Sequence, residues 1–255
     1  MRLNLSRKEL ILIKLYVLNQ DDSDIKAFLN ISNNTLGQIK NELKSKFYTH
    51  CIIDVILFCV EHKYIKKIDL LEDSTKFFCL EYVIENPIEN FNNLEDYIIR
   101  FYIELTEHNR NIYLNKSAEE KLSLEEIAFL RYKYNGLEIK GLKNVSDLTY
   151  SEYLSYKNKI FSKLKKSNFF NVLKISYSFG LLPRDINAEL ELIKRYLNHN
   201  NKLRKLKSKK YSFDKALLYN EILKIFSHIE YNILWGAKPL KQIEQHINNK
   251  TLITT

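Results

Sequence analysis

The chain of 255 residues contains few of the residues that form tight turns and covalent cross-links, with five Gly, three Pro and three Cys. β-Sandwiches, β-barrels and doubly wound sheets need frequent turn residues, so this composition argues against all three. Three Cys are an odd number without motif spacing, which indicates a reducing interior. The length is typical of one large domain or two small ones.

Long apolar runs are lacking too. No run reaches the roughly 18 apolar residues that a membrane-spanning helix needs. The first ten residues, MRLNLSRKEL, lack the continuous apolar stretch of a signal peptide. We therefore expect a cytoplasmic protein without a membrane partner.

The patterns of common catalytic and metal sites are also missing. The six His form no H-x-x-x-H pair, no two Cys have the C-x-x-C spacing, and there is no Gly-rich phosphate loop. Asp21, Asp22 and Asp24 could mimic a metal site, but a polar connection between helices explains them better. We expect no enzymatic activity, no catalytic residue, no metal and no cofactor.

Most of the sequence has the pattern of amphipathic helices. Apolar residues recur at steps of three and four, as in Leu36, Ile39 and Leu43, whereas alternating strand patterns are scarce. Pro87 and Pro183 mark element boundaries, because Pro lacks an amide donor and disfavours helix just before it. The sequence therefore predicts an all-α fold.

Charge is unevenly distributed along the chain. The net charge is +9, from 40 Lys and Arg against 31 Asp and Glu. Residues 1–65 carry +2, residues 66–121 carry −5, residues 122–182 carry +5 and residues 183–255 carry +7. We divide the chain accordingly into a first unit, an acidic helical connector, a second unit and a basic helical C-terminal extension. A polyanionic partner would have to meet a basic patch.

An internal repeat supports this division. Residues 5–65 align without a gap on residues 122–182 at an offset of 117, with 9 of 61 pairs identical. Both copies open with Leu-Ser-x-x-Glu, and both keep apolar residues at equivalent positions. We call these stretches the first and second repeat segments and infer duplication of one supersecondary unit.

Each repeat segment is predicted to contain four helices. Ser6 or Ser123, with a Glu three residues later, forms a capping-box pattern for the first helix. A short second helix follows, from about residue 23 to 29 in the first segment. Ser32 or Thr149 then caps a third helix of about fifteen residues. A short helix, a tight polar turn and an amphipathic helix make a helix-turn-helix, whose second helix usually enters the DNA major groove.

The first repeat segment resembles the LuxR/FixJ-type (GerE-like) helix-turn-helix domain. The signature of that family is matched at Leu5, Ser6, Glu9, Ile25, Ala27, Ile31, Ser32, Thr35, Leu36, Lys46 and Phe47. The second segment matches at its start and end, but its turn is poor and Glu152 stands where the family has Thr. No receiver or ligand-binding domain is recognisable, so control by phosphorylation or by an autoinducer is not implied.

The resemblance implies DNA contacts from the third helix of the first segment, with Asn34, Thr35 and Gln38 closest to the bases. Amides can read base edges and lysines can neutralise phosphates. The full set of candidates in this segment is Lys26, Asn33, Asn34, Thr35, Gln38, Lys40, Asn41, Lys44 and Lys46. The alternative is that these residues form an ordinary solvated helix face without contact to DNA.

The second segment offers a weaker set. Its candidates are Ser151, Ser155, Lys157, Asn158, Lys159, Lys163, Lys165 and Lys166, with Tyr150 beside them. Glu152 would repel phosphate unless it accepts a hydrogen bond from a cytosine amine. The alternative is that the second segment is a degenerate copy of the first whose role is structural packing.

The fourth helix of the first segment, residues 51–60, is apolar nearly all round, so both of its faces should be buried. In the family this helix dimerises, which leaves two possibilities here. The fourth helices of both segments could pair within one chain and place two reading helices about 34 Å apart, or the helix could pack against the acidic connector.

Residues 202–210 form a basic cluster that could touch phosphates, and the helix containing Trp235 is expected to be core or a dimer surface.

Together these observations predict a bacterial, nucleoid-associated transcription regulator that binds duplex DNA through tandem helix-turn-helix units. It would be a monomeric pseudo-dimer or a homodimer, with RNA polymerase or another regulator as a further partner. The alternative is a protein–protein adaptor, in which the repeats are structural and the acidic connector binds the partner. Salt-sensitive DNA binding separates the two.

Overall fold

The computed structural model describes residues 5–47, 49, 51–91, 93–135, 148–199 and 215–235. Within these ranges it contains eleven α-helices and no β-strand, which confirms the predicted all-α class. The basic cluster at 202–210 and the expected second helix of the second repeat segment lie outside the described residues.

The described helices are numbered in chain order. Two 3-10 helices, Lys67–Leu70 and Ile88–Asn90, flank the fifth α-helix. The α-helices are α1 (Arg7–Val17), α2 (Asp22–Leu29), α3 (Asn33–Lys46), α4 (Ile52–Glu61), α5 (Asp73–Glu85), α6 (Leu94–Leu114), α7 (Leu124–Tyr134), α8 (Tyr150–Leu164), α9 (Phe169–Ser178), α10 (Ile186–His199) and α11 (Lys215–Trp235).

The two repeat segments have matching helix bounds. The bounds of α1 and α7 differ by 117 residues at both ends, and so do those of α4 and α9. The helices α3 and α8 also begin 117 residues apart, and α8 is one residue longer at its C-terminal end. The sequence alignment therefore corresponds to equivalent secondary structure wherever both segments are described.

The helix starts of both segments are fixed by the same capping chemistry. Ser6 and Ser123 each accept a hydrogen bond from the amide of the Glu three residues later, whose carboxylate accepts from the serine amide. Ser32 caps α3 and Thr149 caps α8 through the same hydroxyl contact. These bonds satisfy amides that lack a partner inside the helix.

The ends of α4 and α9 also match. Lys63 and Gly180, which are equivalent in the repeat, have φ values of 63° and 74°. In each segment this residue and the next donate their amides back to carbonyls in the last turn of the helix. The left-handed conformation favours glycine, so Lys63 adopts it at a cost of about 1 kcal/mol.

One hydrophobic core joins the two repeat segments. It contains buried residues from α1, α3, α4, α7, α8 and α9 and the C-terminal end of α11, where the rings of Phe170 and Trp235 stack at 5.2 Å. Val55 to Val60 of α4 are all buried. This helix packs against α1 and α3, and Tyr231 of α11 donates its hydroxyl to the Leu57 carbonyl at 3.3 Å.

A second core lies among α5, α6, α10 and α11. It is rich in aromatic residues, with Tyr82, Tyr97, Phe101 and Phe226 in edge-to-face contacts. The acidic connector thus packs against the helices that follow the second repeat segment. Among the described helices, none is both long enough and apolar enough to cross a membrane.

Candidate nucleic-acid interface

The connection between α2 and α3 consists of three residues. Asp21 caps α2 by accepting the amide of Asp24, whereas Asp22 and Asp24 lie in the first turn of the helix and not in the connection. Asn30 ends α2 in the left-handed conformation, with φ of 51°. Ser32 then caps α3, and its hydroxyl also contacts that of Thr35 at 2.9 Å. Two helices joined by so short a link are held at a fixed angle.

One face of α3 is buried and the opposite face carries amides. Leu36, Ile39 and Leu43 lie in the first core. Asn34, Gln38 and Asn41 follow an i, i+4, i+7 spacing on the opposite side and are exposed, as is Asn33. We call Asn34, Gln38 and Asn41 the α3 outer face. It combines hydrogen-bond donors and acceptors on a rigid support.

The equivalent face of α8 carries smaller groups. Ser151, Ser155 and Asn158 are exposed and correspond position by position to the α3 outer face, whereas Tyr153 and Ile160 are buried on the opposite side. Tyr150 is also exposed, and Glu152 is engaged with Thr149 in the capping box. The side chains of α8 therefore reach less far than the amides of α3.

Five of the lysines predicted to contact DNA form ion pairs within the chain. Their ammonium groups lie 2.6 to 3.6 Å from carboxylate oxygens. The pairs are Lys40 with Asp22, Lys46 with Glu9, Lys163 with Glu126, Lys165 with Glu120 and Lys166 with Glu72. Much of the positive charge near α3 and α8 is thus compensated locally.

Two of these ion pairs are equivalent in the repeat. Lys46 reaches Glu9 at 2.6 Å and Lys163 reaches Glu126 at 2.8 Å, and both glutamates are the capping-box residues of a first helix. Burial alone would raise the pKa of Glu9, but hydrogen bonds from Lys46 and Ser6 hold that pKa below its ordinary value. The pair therefore ties the end of the third helix to the start of the first.

Asp22 connects the two repeat segments electrostatically. Tyr16 donates its hydroxyl to Asp22 at 2.7 Å, and Lys40 lies equally close. Burial opposes ionisation of Asp22, but these hydrogen bonds and the charges of Lys40 and Lys157 lower its pKa. Lys40 and Lys157 are equivalent in the repeat, so a positive charge from α3 and one from α8 both act on this carboxylate in the first turn of α2.

A hydrogen-bond cluster fixes the contact between the segments. The Ser167 amide donates to the Asn19 side chain at 3.0 Å, and its hydroxyl donates to the Asn19 carbonyl at 2.9 Å. Asn168 and Asn171 of the second segment both donate to the Tyr16 carbonyl. We call this cluster the inter-segment junction. It joins the end of α1 and the turn after it to the start of α9.

Replacing Ser167 by alanine should lower the free energy of unfolding by about 1–2 kcal/mol, because carbonyls of the junction lose their donor. Urea denaturation measures this change. Ser162→Ala on the exposed side of α8 is the matched control and should change stability by less than about 0.5 kcal/mol. Equal effects of the two substitutions would contradict the assigned role of the junction.

Four predicted cations remain outside these ion pairs. Lys159 is exposed, and Lys26, Lys44 and Lys157 are partly exposed. Lys157 also lies 5.4 Å from the centre of the Phe161 ring. These lysines supply the positive charge around the two outer faces.

A buried polar cluster lies apart from this interface. Arg184 contacts Glu189 at 2.7 Å, and Tyr102 and Tyr177 donate their hydroxyls to the same carboxylate. An adjoining cavity of about 40 Å³ is lined by Tyr102, Tyr177, Arg184 and Glu230. That volume suits a few water molecules. Within the described residues, no group of His, Cys, Asp and Glu could hold a metal ion.

Comparison with protein-family models, with curated proteins and with solved structures finds no match to this chain. The resemblance to the LuxR/FixJ-type domain therefore stays a prediction that rests on the residues of the first repeat segment.

The residues that sequence reasoning missed are those that lock the two segments together. Asp22 was interpreted only as part of a polar turn, and neither Asn19 nor Ser167 was singled out. A signal was available for the ion pair within each segment, since Glu9 and Lys46 are both identical in the second segment, with the same separation of 37 residues. Two identities that recur at one separation indicate a contact between them.

Proposed function

We propose that this chain is a transcription regulator that binds duplex DNA, with α2 and α3 acting as a helix-turn-helix and α3 as the main reading helix. The observation that carries the proposal is the α3 outer face. Its three exposed amides stand opposite three buried aliphatic residues. Asn and Gln can form paired hydrogen bonds with adenine in the major groove.

The charge distribution assigns different tasks to different lysines. Lys40 and Lys46 hold α3 in place through Asp22 and Glu9. Of the predicted DNA-contacting lysines, Lys26, Lys44, Lys157 and Lys159 lie outside these ion pairs and would neutralise phosphates, and each contact would add to the salt dependence of binding. Sequence reading and phosphate binding can therefore be altered by separate substitutions.

The second segment extends the same surface. Lys40 of α3 is paired with Asp22 of α2, and the positive charge of Lys157 of α8 also lowers the pKa of this carboxylate. This arrangement favours one continuous DNA contact over two half-sites separated by a full helical turn. The small hydroxyls of Ser151 and Ser155 on α8 suit phosphate and sugar contacts.

Selection from a pool of random duplexes tests the proposal. The purified chain is incubated with the pool at low and at near-physiological salt, and the retained duplexes are sequenced. We expect one enriched motif of about one helical turn. Retention without a motif would limit the activity to phosphate binding and contradict sequence reading, whereas no retention at low salt would contradict DNA binding altogether.

A further inference from the structure

The helix α5 exposes large apolar side chains on its outer face. Phe77, Leu80 and Ile84 are 61%, 44% and 54% exposed, and their spacing of three and four residues places them on one stripe. We call these three residues the α5 stripe. Single exposed apolar residues are ordinary, but an aligned set on one helix marks an interaction surface.

The opposite side of α5 explains why the stripe is not needed for folding. Thr75, Cys79, Tyr82 and Val83 are buried, and the helix packs against α6 and α11. The Lys215 ammonium of α11 donates to the Ile84 carbonyl at 3.3 Å and fixes the end of the helix. The core contribution of α5 is thus complete without Phe77, Leu80 and Ile84.

An acidic edge borders the stripe. Glu81 and Glu85 are exposed, and on the helix they lie between the stripe and the side that faces α6. From α6, Glu104 acts on the Tyr82 hydroxyl, whose pKa burial raises to about 12. Residues 66–121 carry a net charge of −5; beside the helix, Lys76 of α5 is paired with Asp73 and Lys215 of α11 contacts the Ile84 carbonyl.

The negative charge of Glu81 and Glu85 indicates which class of molecule would bind to the α5 stripe. Nucleic acids and anionic membranes present phosphates, which these carboxylates repel. A helix with an apolar face bordered by Lys and Arg would cover the three side chains and pair with the glutamates. A second copy of this chain would bring the same acidic edge against itself, which is unfavourable at an isologous contact.

We propose that the α5 stripe is a docking surface for a basic amphipathic helix of another protein. This surface is separate from the α3 outer face, so docking and DNA binding are independent activities. The stripe supplies the apolar contact, and Glu81 and Glu85 select the sign of the partner's charge.

Fluorescence anisotropy with the full chain and a labelled designed peptide tests this proposal in the absence of DNA. The peptide is an 18-residue helix with Leu at i, i+3 and i+7 and Lys beside them, and the matched peptide has Glu in place of every Lys. We expect the basic peptide to bind in the micromolar range and the acidic one at least tenfold more weakly.

Variants of the surface complete the test. Phe77→Ala with Ile84→Ala should weaken binding at least tenfold, and Glu81→Gln with Glu85→Gln should reduce its salt dependence. Leu124→Ala is the control, because Leu124 is 82% exposed on α7. Circular dichroism establishes that each variant is folded.

Three results of the binding experiments would overturn the proposal. They are no binding of the basic peptide at about 1 mM, equal binding of the two peptides, and binding that the Phe77 and Ile84 substitutions leave unchanged. Sedimentation of the chain alone gives a further check. Self-association that disappears in the Phe77→Ala, Ile84→Ala variant would assign the surface to a second copy and would also overturn the proposal.

Discussion

Replacing Glu189 by leucine should lower the free energy of unfolding by about 3–5 kcal/mol, because the substitution leaves the Arg184 guanidinium buried without its anion. The Glu189 side chain is 1% exposed and that of Arg184 is 12% exposed. Tyr102 and Tyr177 lose their acceptor in the same step. Urea denaturation measures the loss.

Two further variants separate the ion pair from general damage to the core. Glu191→Leu on the same helix breaks an exposed pair with Lys194 and should cost less than about 1 kcal/mol. Adding Arg184→Leu to Glu189→Leu should restore part of the lost stability, because it removes the unpaired charge. A Glu189→Leu variant as stable as Glu191→Leu would show that the cluster does not support the fold.

Replacing Glu230 by glutamine should stabilise the protein above pH 7 by about 3 kcal/mol. Burial raises the pKa of Glu230 from 4.5 to about 7, while Lys174 and Arg184 lower it and Glu72 raises it further. Part of the residue reaches solvent, but its Oε1 atom is buried without a hydrogen-bond partner. A pKa difference of one unit corresponds to about 1.4 kcal/mol.

The sign of the pH dependence follows from proton binding. Below pH 4.5 the carboxyl is protonated in both states and costs nothing. Between pH 4.5 and about 7 the unfolded chain has lost the proton while the folded chain retains it, so stability falls as the pH rises. Glutamine does not titrate, so the advantage of Glu230→Gln should grow through this window and then level off.

Urea denaturation of both proteins at pH 4.5, 6 and 8 measures this difference. Glu107→Gln on the exposed side of α6 serves as the control and should show no such growth. A constant difference between wild type and Glu230→Gln across the three pH values would contradict a buried, protonated Glu230.

Local structure was largely predictable from the sequence. The apolar periodicity identified the buried face of α3, and Ser6, Ser32, Ser123 and Thr149 were correctly predicted to cap helices. These features depend on residues three or four positions apart. Because these contacts lie within a short stretch of the chain, they can be predicted from that stretch of sequence alone.

The partners of the predicted DNA-contacting lysines were not predictable in the same way. Lys40 pairs across 18 residues and Lys166 across 94, and periodicity gives no information on contacts at such separations. It shows which face of a helix is buried but not which element covers it. For the same reason, the packing of α5 and α6 against α10 and α11 was not foreseen.

If amides of the α3 outer face read DNA bases, their removal should weaken binding to the preferred sequence alone. The affinity of the selected duplex and of a scrambled duplex is measured for wild type and for Asn34→Ala with Gln38→Ala. Both substitutions keep the charge, so binding to the scrambled duplex should not change. Binding to the selected duplex should weaken at least tenfold, since each lost base contact costs about 1–3 kcal/mol.

A matched pair of exposed amides elsewhere controls for surface effects, with Asn111→Ala on α6 and Asn187→Ala on α10. This control should bind both duplexes as wild type does. Unchanged discrimination by the Asn34 and Gln38 variant would contradict the account, whereas selective loss of the preferred duplex would establish α3 as the reading helix.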